Sequence, residues 1–178
     1  MAESALIVRV PEAEALVGPF REKFDPTAAI GVPAHITVLH PFIPPERTTT
    51  EDIEQIHRIA SATESFRYRL VAAKCFPDAL YLEPEPSEPF VALTRSVERR
   101  FPKYPPYEGQ FTSVIPHLTV ARGTKLQLRA LEKEIARDAR LQSGINAMCD
   151  ALVLIENLSG YWRERCIFEL ADGPQRDG

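Results

Sequence analysis

VPAHITV (Val32–Val38) and VIPHLTV (Val114–Val120) are one pattern written twice, 82 residues apart. Each copy opens on valine, carries a proline, and then runs histidine, aliphatic residue, threonine, valine. Aliphatic and β-branched residues of this kind favour extended backbone. In a strand, side chains two apart share a face. His35 and Thr37 therefore point one way while Ile36 and Val38 point into a core, and His117 and Thr119 do the same against Leu118 and Val120. Two such strands set side by side enclose two imidazoles and two hydroxyls in one cavity.

Outward from these strands, the rest of the chain reads as alternating short strands and amphipathic helices. Ala5–Val10 is an apolar run of strand type. Pro11–Phe24 follows with a helical stripe of Ala13, Leu16, Val17, Phe20 and Phe24, and its proline suits a first helical turn. Val32–Leu39 is the first motif strand, ended by Pro41, Pro44 and Pro45. Thr48–Thr50 with Glu51 and Asp52 starts a helix whose buried face is Ile53, Ile56 and Ala60. Phe66, Tyr68 and Leu70 alternate with Arg67 and Arg69 in a half-buried strand, and Ala79–Glu83 is another. Pro84, Pro86 and Pro89 mark a loop before a helix on Phe90, Leu93, Val97 and Phe101. Residues 102–116 are proline-rich and read as a long ordered loop, of a length that is often functional. The second motif strand, His117–Ala121, precedes a capping box of Thr124 and Gln127 and a helix on Leu128, Leu131 and Ile135. Ala151–Glu156 and Arg163–Leu170 close the chain as a hairpin over Asn157–Gly160, with a polar tail from Asp172. The spacing is not that of repeated βαβ units, and several strands are joined by short turns. That predicts an α+β fold with mainly antiparallel sheet, in one domain spanning residues 1–178.

Bulk properties narrow the class. The 178 residues are 44% hydrophobic and 26% charged, enough apolar content for a real core without staples. The net charge of −4 argues against a protein that wraps long nucleic acid, because phosphate neutralisation supplies most of such affinity. A nucleic-acid partner would be gripped locally, at an end or as a short fragment. The three cysteines, Cys75, Cys149 and Cys166, include no CxxC pair and read as small core residues in a reducing compartment. No stretch approaches the length of a membrane span. The expectation is a cytoplasmic, unanchored monomer.

The four motif residues suit phosphodiester chemistry. A neutral imidazole can take a proton from a water or a 2′-hydroxyl, and a protonated one can give a proton to the leaving oxygen. A free pKa of about 6.5 lets both forms exist near neutrality. Threonine hydroxyls can donate hydrogen bonds to non-bridging phosphate oxygens as charge develops. The bland reading of the same residues is two core histidines beside strand-forming threonines. A zinc site on His35, His117 and His40 is the rival catalytic reading, but no carboxylate or cysteine stands at ligand spacing. No metal or other cofactor is therefore expected.

At GVPAHITVLHPF (Gly31–Phe42) and IPHLTVAR (Ile115–Arg122) the chain resembles the 2H phosphoesterase superfamily, specifically the 2′-5′ RNA ligase family, whose signature is two HxT/S motifs about 80 residues apart. The resemblance implies a bilobal pseudo-twofold fold with antiparallel sheets lining a central cleft and helices outside. The motif strands would lie around 32–39 and 116–122. It implies metal-independent phosphodiester cleavage at 2′,3′-cyclic phosphates or 2′-5′ linkages of RNA ends or nucleotides, by two-histidine acid–base catalysis. His35, Thr37, His117 and Thr119 map onto the catalytic positions. The alternative is a binding module of the same fold that holds a nucleotide or RNA end without turnover.

Other candidates are weaker. Phe42, Tyr81, Tyr107, Tyr161 and Trp162 could stack on a base, although core packing is the commoner fate of each. Arg163 and Arg165 share a strand face and could contact phosphate. Tyr107 sits in the loop before the second motif, where a lid could form. His40, five residues past His35, would face away from it in a straight strand, with a place on the cleft rim otherwise. His57 lies off its helix's apolar stripe and should face solvent.

Overall fold

The computed structural model describes residues 2–109 and 113–173. Eight strands form one sheet: β1 (Ser4–Arg9), β2 (His35–Leu39), β3 (Phe66–Cys75), β4 (Ala79–Glu85), β5 (Leu118–Arg122), β6 (Ile145–Cys149), β7 (Ala151–Glu156) and β8 (Arg163–Glu169). Their order is β6-β3-β4-β5-β2-β1-β7-β8, and every neighbouring pair is antiparallel. The two motif strands, β2 and β5, meet at the centre, with Ile36 opposite Leu118. The edge strand β6 comes back against the 3-10 turn Pro11–Ala13 that follows β1, so the sheet curls.

The expected lobes are the two halves of this sheet. β1 flanks β2 on one side as β4 flanks β5 on the other. Each motif strand carries a β-bulge at the same place: Val38 of β2 is the extra residue against the Leu6–Ile7 step of β1, and Val120 of β5 against the Leu80–Tyr81 step of β4. Bulges increase local twist and re-aim the side chains beside them, so both halves bend toward the same face.

The α-helices among the described residues are α1 (Glu14–Phe24), α2 (Pro26–Ala29), α3 (Thr50–Ser61), α4 (Glu88–Arg100), α5 (Lys125–Ile135) and α6 (Ala139–Ser143). α1 packs against β5 and α4 against β2, so each half's first long helix braces the other half's motif strand. α3 lies on β8, and α5 on β3 and β4. The helix after each motif strand begins with a capping box, Thr49 with Asp52 in α3 and Thr124 with Gln127 in α5. Such a cap is worth about 1 kcal/mol and sets where the chain leaves the strand. α4 buries Phe90, Leu93, Thr94 and Val97 along one stripe.

Strand alternation divides the apolar residues between the two faces. Leu6, Val8, Ile36, Val38, Leu118 and Val120 belong to the large core under the helices. Ala5, Ile7, Val32, Val153, Ile155 and Trp162 form a smaller cluster on the opposite face. Among the described residues no helix is long and apolar enough to cross a membrane.

Several boundaries differ from expectation. The first helix opens as the 3-10 turn and becomes α-helical only at Glu14. β2 starts at His35, because Pro33 has no N–H to give a ladder. Pro84 lies inside β4, opposite Leu70 and next to a register shift between Leu70 and Ala72, where a missing donor is tolerated. Pro89 stands in the first turn of α4. β6 was not expected; only its Ile145, Ala147 and Cys149 alternate inward, and alanine is a weak strand signal. Cys149 is a core residue, but Cys75 is exposed at the far end of β3. The polar tail beyond residue 173 and residues 110–112 of the proline-rich loop lie outside the described residues.

Candidate active site

His35 and Thr37 on β2 face the same cavity as His117, just ahead of β5, and Thr119 within it. All four are half-buried, while Ile36, Val38, Leu118 and Val120 between and beside them are at most 2% exposed. The alternation that buries the aliphatic residues is therefore what presents the polar ones. The cavity has a volume of about 340 Å³, at the lower end of the ~300–1,000 Å³ of small-molecule sites.

The imidazoles are held alike. His35 Nδ1 lies 2.8 Å from the Pro33 carbonyl oxygen, and His117 Nδ1 lies 2.7 Å from that of Ile115. A carbonyl only accepts, so Nδ1 carries the proton and donates. Nε2 is left for chemistry, unprotonated in the neutral ring. Each histidine bonds to the residue two before it, and that pair of bonds is again 82 residues apart. The duplication thus extends from sequence to tautomer.

The surroundings are not alike. Behind the His35 side sits a buried ion pair, Arg21 and Asp25, 3% and 4% exposed, with Arg21 Nε donating to Asp25 Oδ2 at 3.0 Å. Arg21 also donates to the Val32 carbonyl at 3.0 Å, and Thr27 donates through its backbone N–H and hydroxyl to Asp25. This network ties α1 and α2 to the segment entering β2. Burial lowers the His35 pKa from its usual value to about 4, with Arg21 and His117 adding to the effect against the Pro33 bond and Asp25. Burial also lowers that of His117, aided by Arg122 and opposed by its bond to Ile115. His117 has aromatic neighbours: Phe76 and Tyr81 present ring edges at 5.1 and 5.5 Å.

The structure brings only some of the expected substrate contacts here. Trp162 lines the cavity wall. Its backbone N–H donates to the Ile30 carbonyl at 2.8 Å. Gly31, at φ +95°, lets the backbone of Trp162 and the ring of Tyr161 approach closer than any side chain would allow. Tyr81 is 6% exposed, stacked on Phe76 at 4.1 Å and edge-to-face with His117, so it is a packed neighbour of that histidine and not a free platform for a base. Phe42 is a core residue, 3% exposed and edge-to-face with Phe101 at 5.0 Å and Tyr104 at 5.8 Å, and is not available to substrate. Arg163 is exposed, donates to the Ser159 hydroxyl at 2.8 Å, and does not line the cavity. Arg165 is paired with Glu156 at 2.9 Å. Tyr161 is exposed and His57 faces solvent. The side chain of Tyr107 lies outside the described residues.

His40 takes the cleft-rim place. The bulge at Val38 shifts the alternation of β2 by one residue, and His40 lines the cavity with its Nε2 3.6 Å from Glu3. Sequence reasoning missed Arg122, Glu3, Asp25, Thr27 and Asn157, which also line it. One signal was present: Arg122 and His40 stand at the same distance past the two motif histidines, so the repeat extends that far in position if not in residue type. Among the described residues no three His, Cys, Asp or Glu side chains gather closely enough to hold a metal ion.

A model of the 2′-5′ RNA ligase superfamily matches residues 9–160. The chain belongs to that superfamily. A relative of this 2′-5′ RNA ligase superfamily member is the Oceanobacillus iheyensis protein OB1230, which bears a provisional phosphoesterase name. The two are 27% identical over 106 residues, 57% of this chain and 59% of that protein. The fold is shared with TT0787 of Thermus thermophilus, at TM-score 0.59 and 20% identity, covering 96% of this chain and 98% of that one. It is also shared with E. coli LigT, solved with NADP+ at TM-score 0.58 and 15% identity, again over 96% and 98%. The ATP complex of LigT gives TM-score 0.59 at 13% identity over 97% of this chain and 100% of that one.

Proposed function

We propose that this superfamily member is a metal-independent phosphodiesterase acting on 2′,3′-cyclic phosphates or 2′-5′ linkages, at RNA ends or on nucleotides. One observation carries the reading. Two imidazoles, each fixed through Nδ1 to a backbone carbonyl, present Nε2 from equivalent positions of adjacent strands to one cavity that also holds two threonines. A phosphate group in that cavity would have a proton acceptor on one side and a proton donor on the other.

His35 is assigned the base and His117 the acid. Arg21 and deeper burial hold the His35 ring neutral near pH 7. The attacking water gives its proton to His35 Nε2 as its oxygen bonds to phosphorus. The P–O bond to the ribose breaks, and the departing oxygen takes the proton from His117 Nε2. Solvent exchange restores both rings. Thr37 and Thr119 donate to the non-bridging oxygens, whose negative charge grows in the transition state. Charge on the phosphate raises the pKa of whichever ring is to stay protonated. LigT has been solved with NADP+, 3′-AMP and ATP, so a chain of this fold accommodates nucleotides, which supports the substrate class. The test is turnover of a 2′,3′-cyclic mononucleotide by purified protein with EDTA present. Hydrolysis that depends on His35 and His117 supports the proposal, and tight nucleotide binding without turnover would favour a binding module.

A further inference from the structure

The two halves match strand for strand, yet one matched pair differs in kind. Ile7 of β1 stands opposite Thr37, and Tyr81 of β4 stands opposite Thr119, each beside the bulge of its motif strand. On the His117 side, the Tyr81 ring lies stacked on Phe76 and edge-on to His117, so aromatic side chains fill the space beside the motif strand. On the His35 side the equivalent residue is the shorter Ile7. There the cavity continues over Ala5, Ile7, Val32 and Ile155 to Trp162.

This extension is apolar along its walls and polar at its far end. The ring of Trp162 meets His40 edge-on at 6.1 Å. Asn157 Oδ1 accepts from the Glu3 backbone N–H at 2.6 Å, so the amide nitrogen of Asn157 is the end left to donate. Both Asn157 and Glu3 line the cavity. Apolar walls ending in one hydrogen-bond donor and one carboxylate suit a flat heteroaromatic ring with a polar edge.

Resting on the phosphodiesterase reading above, we propose that the nucleobase of the reacting nucleotide enters this His35-side compartment, that its edge meets Asn157 and Glu3, and that Ile7 keeps the compartment open where Tyr81 closes its counterpart. The enzyme is then selective for base-bearing phosphodiesters, and its selectivity is set on one half of a duplicated site.

Two substrates separate the base from the reacting group: a 2′,3′-cyclic mononucleotide and 1-O-methylribose 2′,3′-cyclic phosphate, which has no base. Stacking and burial of one base are worth roughly tenfold to hundredfold in affinity. The native protein is expected to prefer the nucleotide by that factor in kcat/KM. Ile7→Tyr, which copies the closed half, should cut the preference at least tenfold, mainly through KM. Asn157→Asp keeps the acceptor for Glu3 but removes the donor at a half-buried position, and should cut the preference by a similar factor even if Ile7→Tyr does not fold. Equal kcat/KM for the two substrates, or an undiminished preference in the folded variants, overturns the proposal. Calorimetric affinities for a nucleoside 2′-phosphate and for inorganic phosphate give the same comparison without turnover. A base-dependent gain in binding that the variants lose, in a protein that hydrolyses neither these substrates nor a 2′-5′-linked dinucleotide, would uphold the base pocket and refute the phosphodiesterase reading alone.

Discussion

Replacing Arg21 by alanine strikes fold and chemistry together. Arg21 is 3% exposed, and its guanidinium bonds to Asp25 and to the carbonyl of Val32, three residues before His35. Alanine leaves the Asp25 carboxylate buried with only the Thr27 backbone N–H and hydroxyl to serve it. Breaking a buried pair by removing one partner costs about 3–5 kcal/mol. The remaining Thr27 donors argue for the lower end, about 3 kcal/mol. With a urea slope near 2 kcal/mol/M, the unfolding midpoint should fall by about 1.5 M. The second effect has a definite sign. Arg21 is one of the charges that lower the His35 pKa, so removing it raises that pKa above about 4. If His35 is the base, it must be unprotonated, and the acid limb of the kcat/KM profile must move to higher pH. The assays are urea unfolding followed by fluorescence, and rate against pH on a 2′,3′-cyclic mononucleotide under conditions where the variant is folded. A midpoint shift under 0.3 M (about 0.6 kcal/mol at that slope) would refute the structural argument. A limb that stays put or moves to lower pH would refute the assignment of His35 as base.

The remaining predictions concern substrate handling. Thr37→Val and Thr119→Val should each lower kcat, by no more than about 10²–10³-fold, because each removes one donor to a developing charge; steady-state kinetics on folded variants check this, and an unchanged kcat would remove the threonines from the mechanism. EDTA should leave activity intact, and a loss restored by zinc or manganese would contradict metal independence. Affinity should depend little on RNA length beyond the terminal nucleotides, given the net charge of −4; a salt slope that steepens from a mononucleotide to a 20-mer would point instead to an extended groove.

Much of the site was legible because strand parity is a local rule. His35, Thr37, His117 and Thr119 alternate with residues that must be buried, so their shared orientation follows without knowing the fold. Parity failed at the bulge: Val38 and Leu39 are both buried, so the alternation shifts by one and His40 turns into the cavity, as Arg122 does after Val120 and Ala121. The adjacency of β2 and β5 was expected only from resemblance, since nothing local pairs strands so distant in the chain. Arg21 and Asp25 stand four apart on and beside α1, a spacing that carries no sign of burial; only the tertiary fold buries the pair and puts Asp25 at the cavity. Phe42 and Tyr81 illustrate the same limit. An aromatic residue near a motif can stack on a base or on its neighbours, and the choice depends on Phe101, Tyr104 and Phe76, which come from other elements.

The central claim is that the two histidines work as one acid–base unit. It is tested most directly by kcat on a 2′,3′-cyclic mononucleotide for His35→Ala, His117→Ala and the double variant, with folding verified by circular dichroism. Each single change should lower kcat by about 10²–10⁴-fold. The double change should be no worse than either, because removing one half of a cooperating pair already disables the other. Near-native kcat in either single variant, or losses that multiply in the double variant, would contradict the account.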